Sequence, residues 1–217
     1  DKEPKNRNDR TWCFWENKSG FFEDIVYHKW DRFSFYGNEF SGDLNIRPYQ
    51  YKMIRGVDFY AHCFDKIASH SNIDIIYGEV RSVLSEESHI TIHLDNRELN
   101  CAPSTIFNSI YRPSNISHGN LQLLQHFKGW IIDCPNALFD PRHATLMDFR
   151  VHQRYGTSFM YVLPTSPSRA LVEYTLFTPK TLESGQYDTE LRDYVHSVLR
   201  EKNFTISEED FGIVQLE

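Results

Sequence analysis

The chain has 217 residues, which is enough to bury one sizeable core or two small ones. Hydrophobic residues make up 40% of it and charged residues 24%, the composition of an ordinary globular protein. The formal net charge of −7 argues against binding to duplex nucleic acid and against a polybasic membrane contact, and no run of about 20 apolar residues predicts a membrane span.

The first half of the chain predicts one amphipathic helix among short strands. The aromatic run Thr11–Glu16 is either a short strand or a loop over the core, and residues 20–47 have no sustained period. Beyond Pro48, apolar residues recur at three- and four-residue steps, which predicts a helix over about 49–69. Short strands are predicted at 73–77, 80–85, 90–94 and 104–110, with a turn at Asp95-Asn96.

The second half predicts a sheet followed by a helix. Residues 126–178 fit an antiparallel meander of four strands, with turns at Tyr155–Thr157 and Pro164–Ser168. A second amphipathic helix is predicted over about 187–202. Short strands together with two helices indicate an α+β fold rather than a doubly wound parallel sheet.

The last two predicted strands carry apolar residues on both faces. Successive side chains of a strand point to opposite sides, so Leu171, Glu173, Thr175 and Phe177 share one face. On the preceding strand Phe159, Tyr161 and Leu163 share a face in the same way. Such a sheet is covered on both sides, by protein core on one and by a ligand cavity or a second layer on the other.

Glu173 is the first residue in which chemistry is suspected. A carboxylate between apolar neighbours costs free energy unless it is paired or protonated. One interpretation is a buried carboxylic acid of raised pKa that donates a proton at neutral pH. The other is a salt bridge to Arg150 or Arg169, and a structural ion pair is likewise expected between Asp148 and Arg150.

Several common functional motifs are absent from the sequence. No two glycines stand two positions apart, which excludes a G-x-G-x-x-G fingerprint, and the sequence contains neither a P-loop nor a G-x-S-x-G elbow. The ten histidines show no metal-ligand spacing, so no metal site is predicted and His126 and His143 are interpreted as packing or surface residues. Four widely spaced cysteines indicate reduced thiols and a cytoplasmic protein.

The order of several segments resembles bacterial-type lycopene β-cyclases, FAD-dependent flavoproteins of carotenoid biosynthesis. The similar segments run over almost the whole chain: DKEPKNRNDRTWCFWE, PYQYKMIRGVDFYAHC, TIFNSIY, QHFKGWIIDC, LMDFRV, FMYVLPTSPSRALVEYT and EEDFGIV. The resemblance implies a fold of the hydroxybenzoate-hydroxylase type, in which FAD lies on a glycine-rich β-α-β unit and the substrate lies against a mixed sheet.

The resemblance also implies a division of the chain and a set of site residues. Residues 1–120 would be the remnant of an FAD-binding domain without its N-terminal glycine loop, and 121–217 the substrate-binding part. Glu173 falls on the family's L-x-E-x-T position and is the implied catalytic acid, while Asp1 and Arg10 are the implied cofactor-binding residues. The implied substrate-binding residues are Phe159, Tyr161, Leu171, Thr175 and Phe177.

The activity implied by the resemblance is the ring closure of a linear carotene, an intramolecular isomerisation without net oxidation. Reduced FAD would be the cofactor, NADPH its reductant and lycopene the substrate, with peripheral contact at the inner face of the membrane. Because the glycine loop is missing, this chain is expected to carry no flavin and to be inactive by itself. The alternatives are an FAD-dependent hydroxylase or prenyl reductase of the same fold, and a non-catalytic module that binds an apolar ligand.

Overall fold

The structure is a computed structural model that describes residues 4–86, 89–102, 105–107, 109 and 123–215. It divides into two compact units, one of Asp1–Asn8 with Val57–Gly119 and the other of Asp9–Gly56 with Asn120–Glu217. This division differs from the predicted boundary at residue 120, because residues 9–56 belong to the same unit as the C-terminal part. They contribute strands that pair with, or pack against, its main sheet.

Most of the strands belong to the larger unit. They are β1 (Thr11–Glu16), β2 (His28–Trp30), β3 (Arg32–Tyr36), β4 (Ser41–Leu44) and β5 (Gln50–Arg55), followed after the smaller unit by β9 (Leu124–Asp133), β10 (His143–Asp148), β11 (Thr157–Ser166), β12 (Arg169–Thr178) and β13 (Thr205–Gln215). The smaller unit holds β6 (Val80–Ser85), β7 (Ile90–Leu94) and β8 (Glu98–Cys101). The helices are α1 (Gly56–Ala68) and α2 (Ser184–Ser197).

The main sheet of the larger unit has the strand order β13-β9-β12-β11-β10-β3-β4 in the described residues. All neighbouring strands are antiparallel except β10 and β3, which run parallel, so the sheet is mixed as predicted. The predicted simple meander is wrong in one respect: β9 pairs with β12 and β13 rather than with β10. Ten cross-strand pairs join β12 to β9, and they bury apolar side chains on both faces.

The predicted turns of this sheet lie close to where the structure has them. Gly156 directly precedes β11 with φ of 147°, and a Cβ atom there would lie 2.7 Å from the Phe177 carbonyl oxygen, so the position requires glycine. The turn between β11 and β12 falls at Pro167 and Ser168, whereas Pro164 still belongs to β11.

One face of the main sheet is covered by a small antiparallel sheet of order β1-β5-β2. Buried Trp30 of the small sheet donates its indole N–H to the Pro164 carbonyl oxygen at 2.7 Å, which ties the two sheets together. The core between the two sheets holds Trp30, Phe33, Met53, Ala144, Leu163 and Leu171. For the run Thr11–Glu16, the strand is therefore the correct alternative.

The helix predicted over 49–69 is wrong in its first part. Residues 50–55 form β5, which pairs with β1 over six positions, and the helix begins only at Gly56. The apolar spacing continues into β5 because Met53 and Ile54 are buried there as strand residues. Strand pairing with β1 satisfies the backbone groups that a helix would otherwise have satisfied within itself.

The other face of the main sheet is covered by α2. The core between them includes Trp130, Ile132, Met160, Val162, Val172, Tyr174, Leu176, Tyr187, Leu191, Tyr194 and Val195. The helix begins earlier and ends earlier than the predicted 187–202. Its start is set by a capping box of Glu183 and Gln186, and beyond its end Arg200 adopts a left-handed φ of 59°.

The smaller unit contains α1 and an antiparallel sheet of order β6-β7-β8. The strands predicted at 80–85 and 90–94 and the turn at Asp95-Asn96 are confirmed. The strand predicted at 73–77 is wrong, because these residues have no regular structure and their apolar side chains lie largely exposed. The strand predicted at 104–110 falls largely outside the described residues. In the described parts of the chain, no helix has the length and apolar character needed to cross a membrane.

A buried carboxylate joins the main sheet to α2. Asp148, fully buried at the end of β10, accepts a hydrogen bond at 2.7 Å from the hydroxyl of Tyr194 on α2. The guanidinium of Arg150 donates to both of its oxygens, at 2.9 Å and 2.6 Å, which confirms the expected ion pair. The carboxylate therefore has partners for both oxygens in a place that water does not reach.

We expect Asp148→Ala to destabilise the protein by about 1–3 kcal/mol, since it leaves the buried Tyr194 hydroxyl without its acceptor, whereas the half-exposed Arg150 guanidinium is solvated by water. The free energy of unfolding from urea titration measures the loss. The matched control is Asp193→Ala, which removes an exposed carboxylate from α2, the helix that carries Tyr194. This substitution should change the free energy of unfolding by less than about 0.5 kcal/mol. Equal losses in the two variants would contradict this account.

Candidate functional site

A cavity of about 230 Å³ lies between the small sheet and the main sheet of the larger unit. Strands β1 and β5 form one wall, and β9, β11, β12 and β13 form the other. The lining residues are Thr11, Cys13, Tyr51, Gln125, Phe127, Tyr161, Leu163, Leu171, Glu173 and Asp210. The cavity thus occupies the face of the sheet for which the sequence predicted either a ligand cavity or a second layer, and both are present.

Four residues form a row across the floor of this cavity. Tyr161 of β11 pairs with Glu173 of β12, which pairs with Gly129 of β9, which pairs with Asp210 of β13. Gly129 carries no side chain between the two carboxyl groups. A Cβ atom at this position would lie 2.9 Å from Cδ1 of Leu171 and 3.7 Å from Cβ of Glu173. The side chain of Leu171 therefore packs over Gly129, in the place that a larger residue would need.

Glu173 sits in this row without an ion pair in the described residues. The pKa of Glu173 is raised from its ordinary 4.5 to about 7, chiefly by burial and to a smaller extent by the charge of Asp210, while a hydrogen bond from the Thr175 hydroxyl opposes the rise. The Thr175 hydroxyl donates to Oε1 of Glu173 at 3.0 Å. A substantial fraction of Glu173 is therefore protonated at neutral pH.

The two arginines considered as partners of Glu173 bind other carboxylates. Arg150 pairs with Asp148, and Arg169 contacts Asp133 at 3.0 Å and Glu208 at 3.1 Å. Of the two interpretations that the sequence left open, the structure supports the buried acid of raised pKa.

Three neutral side chains surround the Glu173 carboxyl group. Burial, together with the charge of Glu173, raises the pKa of Cys13 to about 12 and that of Tyr161 to about 12. Burial likewise raises the pKa of Tyr51, which shares a hydrogen bond with Cys13. All three groups stay protonated at neutral pH, so they offer polar contacts without adding charge to the cavity.

The residues predicted to bind substrate divide into two groups. Tyr161 and Leu171 line the cavity beside Glu173. Thr175 is buried and hydrogen-bonds to Glu173 instead of lining the cavity. Phe159 and Phe177 do not line it either. Phe159 is buried, with its ring centroid 5.3 Å from that of Tyr161 and 6.2 Å from that of Phe177.

The residues predicted to bind the cofactor are Asp1 and Arg10, and Arg10 is not among those that line the cavity. Asp1 lies outside the described residues. Arg10 is exposed, donates to Asp9 at 3.1 Å and has its guanidinium 5.9 Å from the centre of the Trp12 ring. Its role in cofactor binding stays a prediction.

None of the lining residues contributed by β1, β5, β9 and β13 was predicted from the sequence. Alternation along Thr11–Glu16 places Thr11 and Cys13 on one face, a signal that the sequence carries if the run is a strand. Asp210 gave no local signal, because only its pairing with β9 brings it to Glu173. In the described parts of the chain, no group of three or more histidine, cysteine or acidic residues is arranged to hold a metal ion.

Comparison with solved structures identifies the fold. A geranylgeranyl bacteriochlorophyll reductase-like protein from Thermoplasma acidophilum superposes with a TM-score of 0.61 at 12% identity, over 91% of this chain and 52% of its own. The flavin-dependent brominase Bmp2 gives 0.57 at 11% identity, over 89% and 52%. Halogenase PltM in complex with phloroglucinol and FAD gives 0.56 at 11% identity, over 86% and 43%.

These likenesses establish the fold alone, which is the predicted α+β fold of FAD-dependent flavoproteins. The chain spans about half the length of the solved structures that it matches. No curated protein sequence matches it. The family comparison is more specific, because the model of the lycopene cyclase protein family matches residues 1–216, a range that includes every residue of the cavity and its carboxyl row. The chain therefore belongs to the lycopene cyclase family.

Proposed function

We propose that this protein contributes the acid catalyst of a lycopene cyclase, with Glu173 as the proton donor. The observation that carries the proposal is the Glu173 carboxyl group, which borders a cavity of mixed polar and apolar lining and has no cation paired with it among the described residues. Burial raises the pKa of this group to about 7. A general acid works best when its pKa lies near the pH at which it acts. Phe127, Leu163 and Leu171 supply wall surface suited to a hydrocarbon.

The reaction proposed for Glu173 leaves the number of electrons unchanged. The O–H bond of Glu173 breaks and a C–H bond forms at the terminal double bond of a linear carotene. The neighbouring double bond attacks the resulting cation and closes a six-membered ring. A proton then leaves the ring, and the product is an isomer of the substrate.

The aromatic residues next to the cavity support an extended apolar substrate. Beyond Tyr161, the rings of Phe159, Phe149, Phe35 and Phe40 follow one another with centroids 5.3 to 6.1 Å apart. The rings of Phe35, Phe40 and Phe149 border an open groove of about 520 Å³. We propose that a polyene chain whose end group meets Glu173 extends towards this aromatic surface.

Reduced FAD, with NADPH as its reductant, is proposed as the cofactor of the whole protein. The family match and the FAD-dependent fold support this proposal. The sequence has no glycine loop to place the pyrophosphate at a helix N-terminus, so the residues present do not by themselves fit FAD. The steps assigned to Glu173 are therefore derived from this chain's own side chains only.

An FAD-dependent reductase acting on a prenyl chain is the second candidate, and the reductase-like protein with the same fold favours it over a hydroxylase. A cyclase converts its substrate into an isomer, whereas a reductase adds hydrogen and a hydroxylase adds oxygen. A module that binds an apolar ligand without converting it is the third candidate. Mass analysis of the product distinguishes the three.

A carotene is insoluble in water, so we propose that the protein works in the cytoplasm at the inner face of the membrane. Exposed apolar side chains such as Phe21, 75% exposed, and Phe40, 54% exposed, are candidates for that contact.

We expect the protein to float with lipid vesicles in a density gradient, and we expect the double substitution Phe21→Ser and Phe40→Ser to weaken flotation. Sedimentation of the unaltered protein away from the vesicles would contradict the proposal.

We expect Glu173→Gln in the full-length enzyme to lower the rate of cyclisation by about 100- to 10,000-fold, since it keeps the shape of the side chain and removes the proton. The rate of product formation from lycopene measures the effect. The control is Glu209→Gln, which removes the same charge from β13 at a site paired with Lys128 on the α2 side of the sheet. A Glu173→Gln enzyme of near-normal rate would refute the proposed role.

We expect kcat of the unaltered enzyme to fall as the pH rises through about 7, because only protonated Glu173 donates. The pH profile of kcat between about pH 6 and about pH 9 tests this. A profile that stays flat over this range would show that Glu173 is not the acid of the rate-limiting step.

The free energy of unfolding should also depend on pH through the titration of Glu173. The pKa of Glu173 is higher in the folded protein than the ordinary 4.5, so the folded state binds more protons and stability falls as pH rises from about 4.5 to about 7. We therefore expect Glu173→Gln to be more stable than the unaltered protein above about pH 7 and to lose this advantage below about pH 4.5. Thermal unfolding across this range measures the difference, and a difference that does not vary with pH would contradict it.

A further inference from the structure

The cavity holds a second carboxyl group whose function is not yet assigned. Asp210 of β13 lies in the same row as Glu173, on the far side of Gly129, and both residues line the cavity. The two residues lie on strands separated by one other strand, which places their backbones about 10 Å apart, and both side chains rise from the same face. A ligand in this cavity therefore has a carboxyl group on either side.

The surroundings of the two carboxyl groups differ. Burial raises the pKa of Asp210 above its ordinary 3.8, but the backbone N–H of Phe211 and the charge of Arg10 oppose this. Among the described residues, Glu173 receives a hydrogen bond from the Thr175 hydroxyl and from no cation, and its pKa is about 7. When two nearby carboxyl groups have environments that separate their pKa values, one is suited to be an acid and the other a base. Glu173 is the acid of this pair.

We propose that Asp210 is the base that removes a proton from the cyclised cation. The inference rests on the proposed function, since it names the group that ends the reaction that Glu173 begins. A C–H bond of the ring breaks, its electrons form the new double bond, and an O–H bond forms on Asp210. Glu173 is left ionised and Asp210 protonated, so one proton passing from Asp210 to Glu173 restores the starting state without any other reactant.

Gly129 separates the two carboxyl groups without contributing a side chain of its own. A larger side chain at this position would collide with Cδ1 of Leu171, which packs there, and would displace part of the cavity wall. The charge of Asp210 acts on Glu173 across Gly129 and raises the pKa of Glu173. Asp210 thus favours the protonated form of Glu173 at the start of the reaction cycle and accepts a proton at the end of the cycle.

The other titratable groups around the pair do not compete for the role of base. Among the described residues, the titratable groups that face Glu173 are neutral at pH 7. The charges that act on Asp210 belong to an arginine and to the carboxylate with which it is paired. The groups are Cys13, Tyr51 and Tyr161 on the Glu173 side, and Arg10 and Asp9 on the Asp210 side.

The test uses Asp210→Asn in the full-length enzyme and a lycopene deuterated at the carbon that loses its proton on ring closure. We expect kcat to fall by about 100-fold or more and the deuterated substrate to react about twofold or more slowly than the ordinary one. Loss of the base makes C–H cleavage rate-limiting, which a merely structural defect would not do. Glu209→Gln, the neighbouring residue on the opposite face, should show neither effect.

A second variant separates the chemical role from a structural one. Asp210→Glu keeps the carboxyl group, and we expect it to recover at least about tenfold of the rate lost in Asp210→Asn. Equal loss in both variants with no isotope effect, or a normal rate in Asp210→Asn, would overturn the inference. Either result would leave the role of Glu173 intact if Glu173→Gln remains inactive.

A direct titration is independent of the activity. With 13C-labelled glutamate in the full-length protein, and Glu173→Gln to assign the signal, we expect Asp210→Asn to lower the pKa of Glu173, since the nearby negative charge is gone. The Glu209→Gln control should leave that pKa unchanged. An unchanged pKa of Glu173 in Asp210→Asn would show that the two groups do not interact and would overturn the inference, even if the enzyme proves not to be a cyclase.

Discussion

The pairing of β12 with a long strand on each side is the constraint on which the rest of the structure depends. Ten residues of β12 pair with β9 on one edge, and the same strand pairs with β11 on the other. Both faces are buried, one under α2 and one under the small sheet, so a slip of one residue would exchange every side chain between two differently shaped cores. The position of Glu173 in its cavity is therefore fixed by packing far from it.

This constraint explains how a carboxyl group is kept in an apolar layer. The residues next to Glu173 in sequence, Val172 and Tyr174, are fully buried against α2 and hold the strand in register. On the cavity side, Thr175 supplies one hydrogen bond and the described residues supply no cation, so the carboxyl group gains little that favours ionisation. The free energy that burial of the neighbours contributes to folding offsets the cost of placing Glu173 there.

The sequence predicted those features that depend on local periodicity. Period-two patterns identified β11 and β12 and the face on which Glu173 lies, and they did so because alternation directly reflects burial. The sequence did not predict that residues 50–55 form a strand. Met53 and Ile54 fit both a helical and a strand pattern, and only their pairing with β1 decides between the two. Asp210 and Gly129 were likewise not predicted as site residues, because their relation to Glu173 arises from pairing between strands that lie far apart in the chain.

The outer position of β13 has a consequence for the behaviour of the protein in solution. In the described residues β13 pairs only with β9, and its side chains Phe211, Ile213 and Val214 are about half exposed. An apolar edge strand of this kind readily accepts a strand from another molecule. The acids of this strand do little to oppose such pairing, because Glu208 and Glu209 are bound by Arg169 and Lys128 and Asp210 faces the cavity. Self-association along this edge is therefore the behaviour to expect of the protein at high concentration.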